Sequence, residues 1–182
     1  CLEETVEPHV ERERLITFLL ETPMFDNLEP AEIMQITHII EVQPLQSGDV
    51  IFSEGDDGDA WYVLYKGSVD VLKNTPHGEN KIATLSPHSC FGEMSILESL
   101  PRSATVRAAE DSVVFRIPRS TFDGLLANND LIAYKLLYHM AILLAHRQRA
   151  TTNTLSRLLE DTSITAIHAG LKVIVGEASV KE

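Results

Sequence analysis

The chain has 182 residues, 44% of them hydrophobic, which is enough for one domain, or one domain with an attached element. Its 27 acidic and 15 basic side chains give a net charge of −12, which argues against nucleic-acid binding because phosphate attraction requires a basic face. No apolar run reaches the ~18 residues of a membrane span, and the charged first residues do not resemble a secretion signal. The two cysteines, Cys1 and Cys90, are far apart and are typical of free thiols in a reducing compartment, so we expect a cytoplasmic protein.

Two helices are predicted at the start of the chain. Apolar residues at helical spacing predict the first over residues 8–21, and Pro23 ends it. The second is predicted over 29–41, because Pro30 suits a first helical turn and isoleucines recur on one face. Residues 1–41 therefore read as an N-terminal helical segment.

Between residues 42 and 117 the hydrophobic residues no longer recur at helical spacing but occur in short runs typical of strands. Short runs rich in β-branched and aromatic residues follow one another, separated by glycines or polar clusters. The runs are VQPL, DVIFSE, WYVLYK, SVDVLK, KIATL, SATVRA and SVVFRI. Several short strands with regular turn signals predict a β-sandwich or barrel.

Helical spacing returns after this region, with a short helix predicted over 118–127 and a long one over 129–160. The tail, 161–182, carries no clear element and is either a frayed end or the stump of a further domain. A helix this long projects beyond a small β-domain, so we expect its apolar stripe to meet a second copy in a homodimer. The stripe consists of Leu137, Met140, Leu144, Thr151, Leu155 and Leu158.

The stretch FGEMSILESLPRSATVRA, residues 91–108, combines groups that suit an anion. Gly92 leads into a short helix whose first N–H groups attract negative charge, and Arg102 adds a planar fork of donors for phosphate oxygens. Glu93 repels phosphate, so its presence is understandable if the ligand offers a hydroxyl beside the phosphate, as a ribose phosphate does. Alternatively, Glu93 holds Arg102 by an ion pair. A simple helix cap with a solvated arginine is disfavoured because all these pieces occur in one segment.

This stretch closely resembles the phosphate-binding cassette of cyclic-nucleotide-binding domains. That family includes regulatory subunits of cyclic-AMP-dependent protein kinase, the bacterial cyclic-AMP receptor protein and cyclic-nucleotide-gated channels. The run LQSGDVIFSEGDDGDAWYVLYKGSVDV, residues 45–71, matches the family's glycine-punctuated β pattern. The resemblance covers about residues 12–158 and implies an α+β fold. Its core is a double-stranded, jelly-roll-like β-roll of eight strands over 42–117, with N-terminal helices and a lid or dimerisation region over 118–160.

The resemblance also implies roles for individual residues. Glu93 is expected to accept a hydrogen bond from the ribose 2′-OH, and Arg102 to pair with the exocyclic oxygens of the cyclic phosphate. The other residues implied in ligand binding are the backbone N–H groups of Gly92, Met94, Ser95 and Ala104, the Ser103 hydroxyl, and Ile82 and Leu85 as walls of the base pocket. Arg102 follows Glu93 by nine positions, a spacing similar to that of the kinase subunits.

The segment AHRQRATTNTLSRL, residues 145–158, is similar in placement to the helix that contacts adenine in the bacterial receptor. Thr151 and Thr152 would then bond the base, one from each protomer; the alternative is that both simply face solvent. Arg147 approaches the base, a partner carboxylate or solvent. A threonine after the cassette arginine often accompanies guanine selectivity in this family, so Ser103 favours cyclic AMP while leaving cyclic GMP possible.

Of four rival functions, three are disfavoured by the residues present. A metal-dependent enzyme needs clustered ligands, but the seven histidines are scattered. A phosphodiesterase would need a metal or poised water, and a degenerate protein-contact module is disfavoured by the intact cassette. We therefore predict a non-enzymatic allosteric sensor that binds cyclic AMP and relays binding through the long helix in signal transduction. The alternatives are a receptor-type transcription regulator whose DNA-binding domain is absent from this chain, or a cyclic-GMP-selective module.

Overall fold

The computed structural model describes the backbone of residues 8–178 and the side chains of residues 12–159. The chain divides into two compact units, Cys1–Met140 and Ala141–Glu182. The helices are α1 Pro8–Leu20, a 3-10 turn Pro23–Phe25, α2 Pro30–Ile36, α3 Glu93–Glu98, α4 Arg119–Ala127 and α5 Leu131–Ala178. Cys1 lies outside the described residues, whereas Cys90 is buried.

Eight strands form two antiparallel four-stranded sheets, ordered β1-β8-β3-β6 and β2-β7-β4-β5. The strands are β1 Glu41–Leu45, β2 Val50–Phe52, β3 Ala60–Lys66, β4 Val69–Thr75, β5 Gly78–Leu85, β6 Cys90–Phe91, β7 Thr105–Ala108 and β8 Ser112–Pro118. This confirms the predicted α+β fold with a β-roll, N-terminal helices and a long C-terminal helix. The two-residue strand β6 has no counterpart among the seven predicted runs, because a strand that short carries no periodicity.

The core lies between the two sheets. The inward-facing side chains include Leu45, Leu64, Val69, Phe91, Val106 and Val114, each at most 7% exposed. Trp61 on β3 is fully buried and Tyr62 nearly so, and both serve packing. Pro44 lies in β1, where its missing N–H is tolerated because β1 is the edge strand of its sheet.

The second helix ends earlier than predicted. The isoleucines that kept helical spacing as far as residue 40 continue beyond Ile36 into a tight turn, in which the Ile39 N–H donates to the Ile36 carbonyl at 3.0 Å. Glu41 then begins β1. The first helix ends at Leu20, and the Thr22 hydroxyl donates to the Phe18 carbonyl just beyond that end.

The long helix continues well past residue 160, so the prediction of no clear element in the tail is wrong as far as Ala178. The segment contains no proline, and its β-branched and glycine residues each lower helix propensity by only about 1 kcal/mol or less. The predicted stripe is also divided between the two units: Met140 is fully buried in the first, whereas Leu155 in the second is 55% exposed. No helix within the described residues is apolar over a membrane-spanning length.

Candidate functional site

The guanidinium of Arg102 is buried and held by four protein acceptors. Nη1 donates to the Gly92 carbonyl at 2.9 Å and to the Ser95 hydroxyl at 2.8 Å. Nη2 donates to the Ala60 carbonyl at 2.7 Å and to Asp59 Oδ1 at 3.2 Å. The side chain is 1% exposed. Such a network fixes the orientation of the donor fork before any ligand arrives.

Two aromatic rings complete the environment of this cation. The guanidinium carbon lies 4.1 Å from the centroid of Phe52 and 5.8 Å from that of Tyr62, both within range of a cation–π attraction. Burial lowers the pKa of Arg102, while Tyr62 and Asp59 oppose that shift, and an arginine remains charged at neutral pH. Its buried Nε–H has no hydrogen-bond partner among the described residues. The side chain therefore retains one N–H that the described protein groups do not use.

Gly92 is required by the geometry of the turn that opens the cassette. Its φ is +79°, in the left-handed region, and a Cβ there would lie 2.8 Å from Arg102 Nη1. A side chain at this position would therefore both strain the backbone and displace the guanidinium. The Gly92 carbonyl bond to Arg102 keeps the start of α3 against the cation.

Glu93 and Ser95 occupy the first turn of α3, and both are buried, with Glu93 only 1% exposed. The structure thus brings Gly92, Ser95 and Arg102 into direct contact and places Glu93 beside them in the chain. Among the other predicted ligand residues of the cassette, Ala104 is buried, whereas Met94 and Ser103 are exposed. A carboxylate, a cation and exposed polar groups suit a ligand that carries both an anion and a hydroxyl.

A lysine from the neighbouring hairpin supports the far end of the cassette. Lys73 on β4 donates to the Ser103 carbonyl at 2.7 Å and pairs with Glu54. The Glu54 N–H in turn donates to the Thr105 hydroxyl at 2.9 Å. The hydrogen bond from Lys73, followed by that from the Asn74 N–H, lowers the pKa of Glu54. This cluster ties Ser103, the residue that follows Arg102, to β4 and to the loop after β2.

Sequence reasoning did not identify Asp59, the carboxylate that forms an ion pair with Arg102. The loop EGDDGDA that contains it runs alongside Arg102. Its Gly55 N–H donates to the Arg102 carbonyl at 2.9 Å, and the Arg102 N–H donates to the Asp56 carbonyl at 2.8 Å. The acidic cluster just before β3 was the available signal, but its partner lies 43 residues later.

The predicted base-contacting residues lie outside the cassette in sequence. Ile82 on β5 is 62% exposed, whereas Leu85 packs against the core of the roll. Thr151 and Thr152 belong to the second unit, where their hydroxyls donate to carbonyls one turn earlier, at 2.9 and 3.0 Å. Contact between these four residues and a base remains a prediction.

Comparisons with known proteins show similarity to cyclic nucleotide-binding domains and to regulators named for cAMP. Residues 42–129 match a family model described as cyclic nucleotide-binding domain. Over 116 residues the chain is 33% identical to the cAMP-dependent protein kinase type II regulatory subunit of Drosophila melanogaster, covering 64% of this chain and 30% of that protein. Over 137 residues it is 28% identical to the CRP-like cAMP-activated global transcriptional regulator of Mycobacterium tuberculosis, covering 75% and 59%.

A solved structure supports the same fold. The crystal structure of a cyclic nucleotide-binding domain from Methylobacillus flagellatus superposes with a TM-score of 0.69 at 25% identity, covering 78% of this chain and 80% of that one. By contrast, the chain spans only 30% of the Drosophila subunit and 59% of the mycobacterial regulator. The similarity to those two relatives therefore concerns a shared module rather than their whole length.

Proposed function

We propose that the protein is a regulatory sensor of cyclic AMP, from the premise that residues 42–129 match the family model of the cyclic nucleotide-binding domain. The observation that carries the proposal is the preset guanidinium of Arg102, held against the start of a short helix whose first residue is the buried Glu93. A cyclic nucleotide offers a phosphate monoanion to Arg102 and a ribose hydroxyl to Glu93. Relatives that are themselves regulatory subunits and regulators support a non-catalytic role.

In this proposal Arg102 pairs with the exocyclic phosphate oxygens, through its Nε–H and by exchange of some of its present acceptors. Glu93 accepts the 2′-OH, and the exposed Ser103 hydroxyl lies next to the phosphate. The remaining ligand contacts are the backbone N–H groups of Gly92, Met94, Ser95 and Ala104, with Ile82, Leu85, Thr151 and Thr152 at the base. The names of both relatives contain cAMP, which supports cyclic AMP ahead of cyclic GMP.

We further propose that the module acts in the cytoplasm as a homodimer joined through the long helix over residues 129–160. The exposed Leu155 supports a partner on this segment, and sedimentation of a Leu155→Glu variant tests it: unchanged association would contradict the dimer. Ligand binding alters the helix only if its affinity differs between two helix arrangements. In the proposed organisation, residues 1–41 precede the roll at 42–117, helices follow over 118–160, and residues 161–182 come after these helices.

Thermal melting with cyclic AMP, cyclic GMP and 5′-AMP tests the proposal. A ligand at a hundredfold excess over its dissociation constant adds about 2.7 kcal/mol, and each kcal/mol raises the melting midpoint of a chain this size by roughly 2–4 °C. We expect a rise of several degrees with cyclic AMP, a smaller one with cyclic GMP and none with 5′-AMP. Equal shifts for the linear and cyclic nucleotides would contradict the proposed site.

A further inference from the structure

Asp59 lies between two arginines that compete for it. Its Oδ1 accepts from Arg102 Nη2 at 3.2 Å, whereas its Oδ2 accepts from Arg116 Nη2 at 2.6 Å. Arg116 also donates through Nη1 to Glu41 at 2.6 Å. These four residues alternate in charge from the buried guanidinium to the first residue of β1, and we call them the charge chain.

The sheet register sets this arrangement. Glu41 on β1 lies directly opposite Arg116 on β8, and the same arginine is the register partner of Tyr62 on β3. Arg116 thus stands on the central strand of three, where its fork reaches a carboxylate on each side. With Glu41 and Asp59 on separate Nη atoms, the guanidinium has little freedom to turn away.

Arg116 is the stronger of the two partners of Asp59. Its hydrogen bond to Asp59 is 2.6 Å long, against 3.2 Å for the bond from Arg102. Burial raises the pKa of Asp59, but the hydrogen bond and charge of Arg116, with a smaller effect from Arg102, bring it below its usual value. Burial likewise lowers the pKa of Arg116, yet its bonds to Asp59 and Glu41 bring that pKa above the usual value.

A bound phosphate and Asp59 are both anions that need the same guanidinium. The more strongly Asp59 pairs with Arg102, the harder it is for a phosphate to displace the Asp59 carboxylate from that guanidinium. The side chain of Asp59 is 65% exposed, so the carboxylate is free to move towards the buried cation once its other partner is removed.

We propose that Arg116 is a positioning residue for the anion site, because it draws Asp59 away from Arg102 and leaves that guanidinium available to a cyclic phosphate. The ligand in this inference rests on the proposed function, whereas the distribution of charge in the ligand-free protein does not. Without Arg116, both oxygens of Asp59 turn to Arg102, and the nucleotide must displace a complete ion pair.

Calorimetric titration with cyclic AMP tests whether Arg116 affects the affinity for the ligand. We expect Arg116→Gln to weaken binding by about two- to fivefold, the range of a partly exposed ion pair. The same substitution made in an Asp59→Asn background should have no effect, because the competing charge is already gone. A loss of equal size in both backgrounds, or no loss in either, would overturn the proposal.

A matched control is Arg107→Gln. Arg107 donates two hydrogen bonds to Glu79, at 2.9 and 3.1 Å, on the same roll. The affinity of the Arg107→Gln variant for cyclic AMP should therefore stay unchanged. Arg116→Lys provides a second variant that keeps the charge but not the fork, and it should lose less affinity than Arg116→Gln. A lysine variant as weak as the glutamine variant would contradict a role for charge at this position.

Side-chain NMR of the ligand-free protein separates this inference from the proposed function. The Arg102 N–H resonances should shift in Arg116→Gln but not in Arg107→Gln, since Asp59 moves only in the first. Absence of that shift overturns the charge chain even if cyclic AMP binds. A shift in a protein that binds no cyclic nucleotide supports the charge chain and overturns the sensor proposal.

Discussion

Arg102 has two separate tasks in this structure, one for the ligand and one for the fold. Its donors satisfy the half-buried carbonyl of Gly92 and the buried carbonyl of Ala60, and its plane covers Phe52. A buried acceptor left unpaired costs about 1–3 kcal/mol, so loss of this side chain affects folding as well as binding. Any binding measurement on a variant at this position therefore needs the folded fraction beside it.

We expect Arg102→Ala to lower the affinity for cyclic AMP at least about tenfold, because a hydrogen bond to a charged group contributes about 1.5–3 kcal/mol. Its melting midpoint without ligand should also fall. Calorimetry below that midpoint measures the first effect, and Arg107→Ala is the control for loss of a surface cation. Unchanged affinity in Arg102→Ala would show that the cassette assignment is wrong.

Residue identities near the cassette were predictable from the sequence to the extent that the contacts are local. Glu93, Ser95 and Arg102 lie within one short stretch, and their burial follows from the turn at Gly92. Asp59 was not predictable in the same way, because only the pairing of two distant loops brings it to Arg102. The same limit applies to the bond between Lys73 and the Ser103 carbonyl.

At the scale of elements, α3 depends on a close contact with the loop before β3. A Cβ added to Gly58 would lie 2.2 Å from the Ser95 hydroxyl oxygen and 2.4 Å from its Cβ. Real atoms do not approach so closely, so Ser95 must move. Because that hydroxyl accepts from Arg102 at 2.8 Å, a small change in the loop reaches the guanidinium.

We therefore expect Gly58→Ala to destabilise the protein by about 1–3 kcal/mol, the usual cost of overpacking, and to weaken cyclic AMP binding. The matched control is Gly124→Ala in α4, where a Cβ has open space and should stabilise the helix by roughly 0.5–1 kcal/mol. Thermal melts and titrations of both variants measure these effects. Similar behaviour of the two alanines would show that the contact with Ser95 is not tight.

Element boundaries were predictable where chemistry marks them and not elsewhere. Pro23 and Pro30 bracketed the break between the first two helices correctly. Neither the end of α2 at Ile36 nor the extent of α5 was predictable from spacing, because apolar residues keep helical periodicity through the turn and β-branched residues weaken the signal beyond residue 160.

On the scale of the first unit, an ion pair joins the N-terminal helices to the start of α5. Lys135 donates to both oxygens of Glu32, at 2.8 and 2.7 Å, and both side chains are largely buried. The hydrogen bond from Lys135 lowers the pKa of Glu32 although burial opposes it. A carboxylate with a depressed folded pKa stabilises the fold above its unfolded pKa of about 4.3, and this stabilisation is lost as pH falls through the folded value.

We expect Lys135→Met to lower the melting midpoint at pH 7 by about 2–4 °C, corresponding to roughly 1 kcal/mol. The difference from the unsubstituted protein should shrink as pH falls below about 4, since Glu32 is then neutral in both. Lys81→Met is the control, because Lys81 lies 3.3 Å from Asp70 with its side chain 56% exposed. A difference between Lys135→Met and the unsubstituted protein that persists undiminished at pH 2 would contradict this account.

Pro44 has a consequence for how the molecule behaves when crowded. A chain that adds to the free side of β1 needs a continuous row of amide donors, and the imino nitrogen interrupts that row. Strands β2 and β6, with three and two residues, are too short to seed polymerisation. Among the edge strands that the structure describes, only β5 is long enough for fibril-like growth, and its charged residues, Glu79 and Lys81, discourage it.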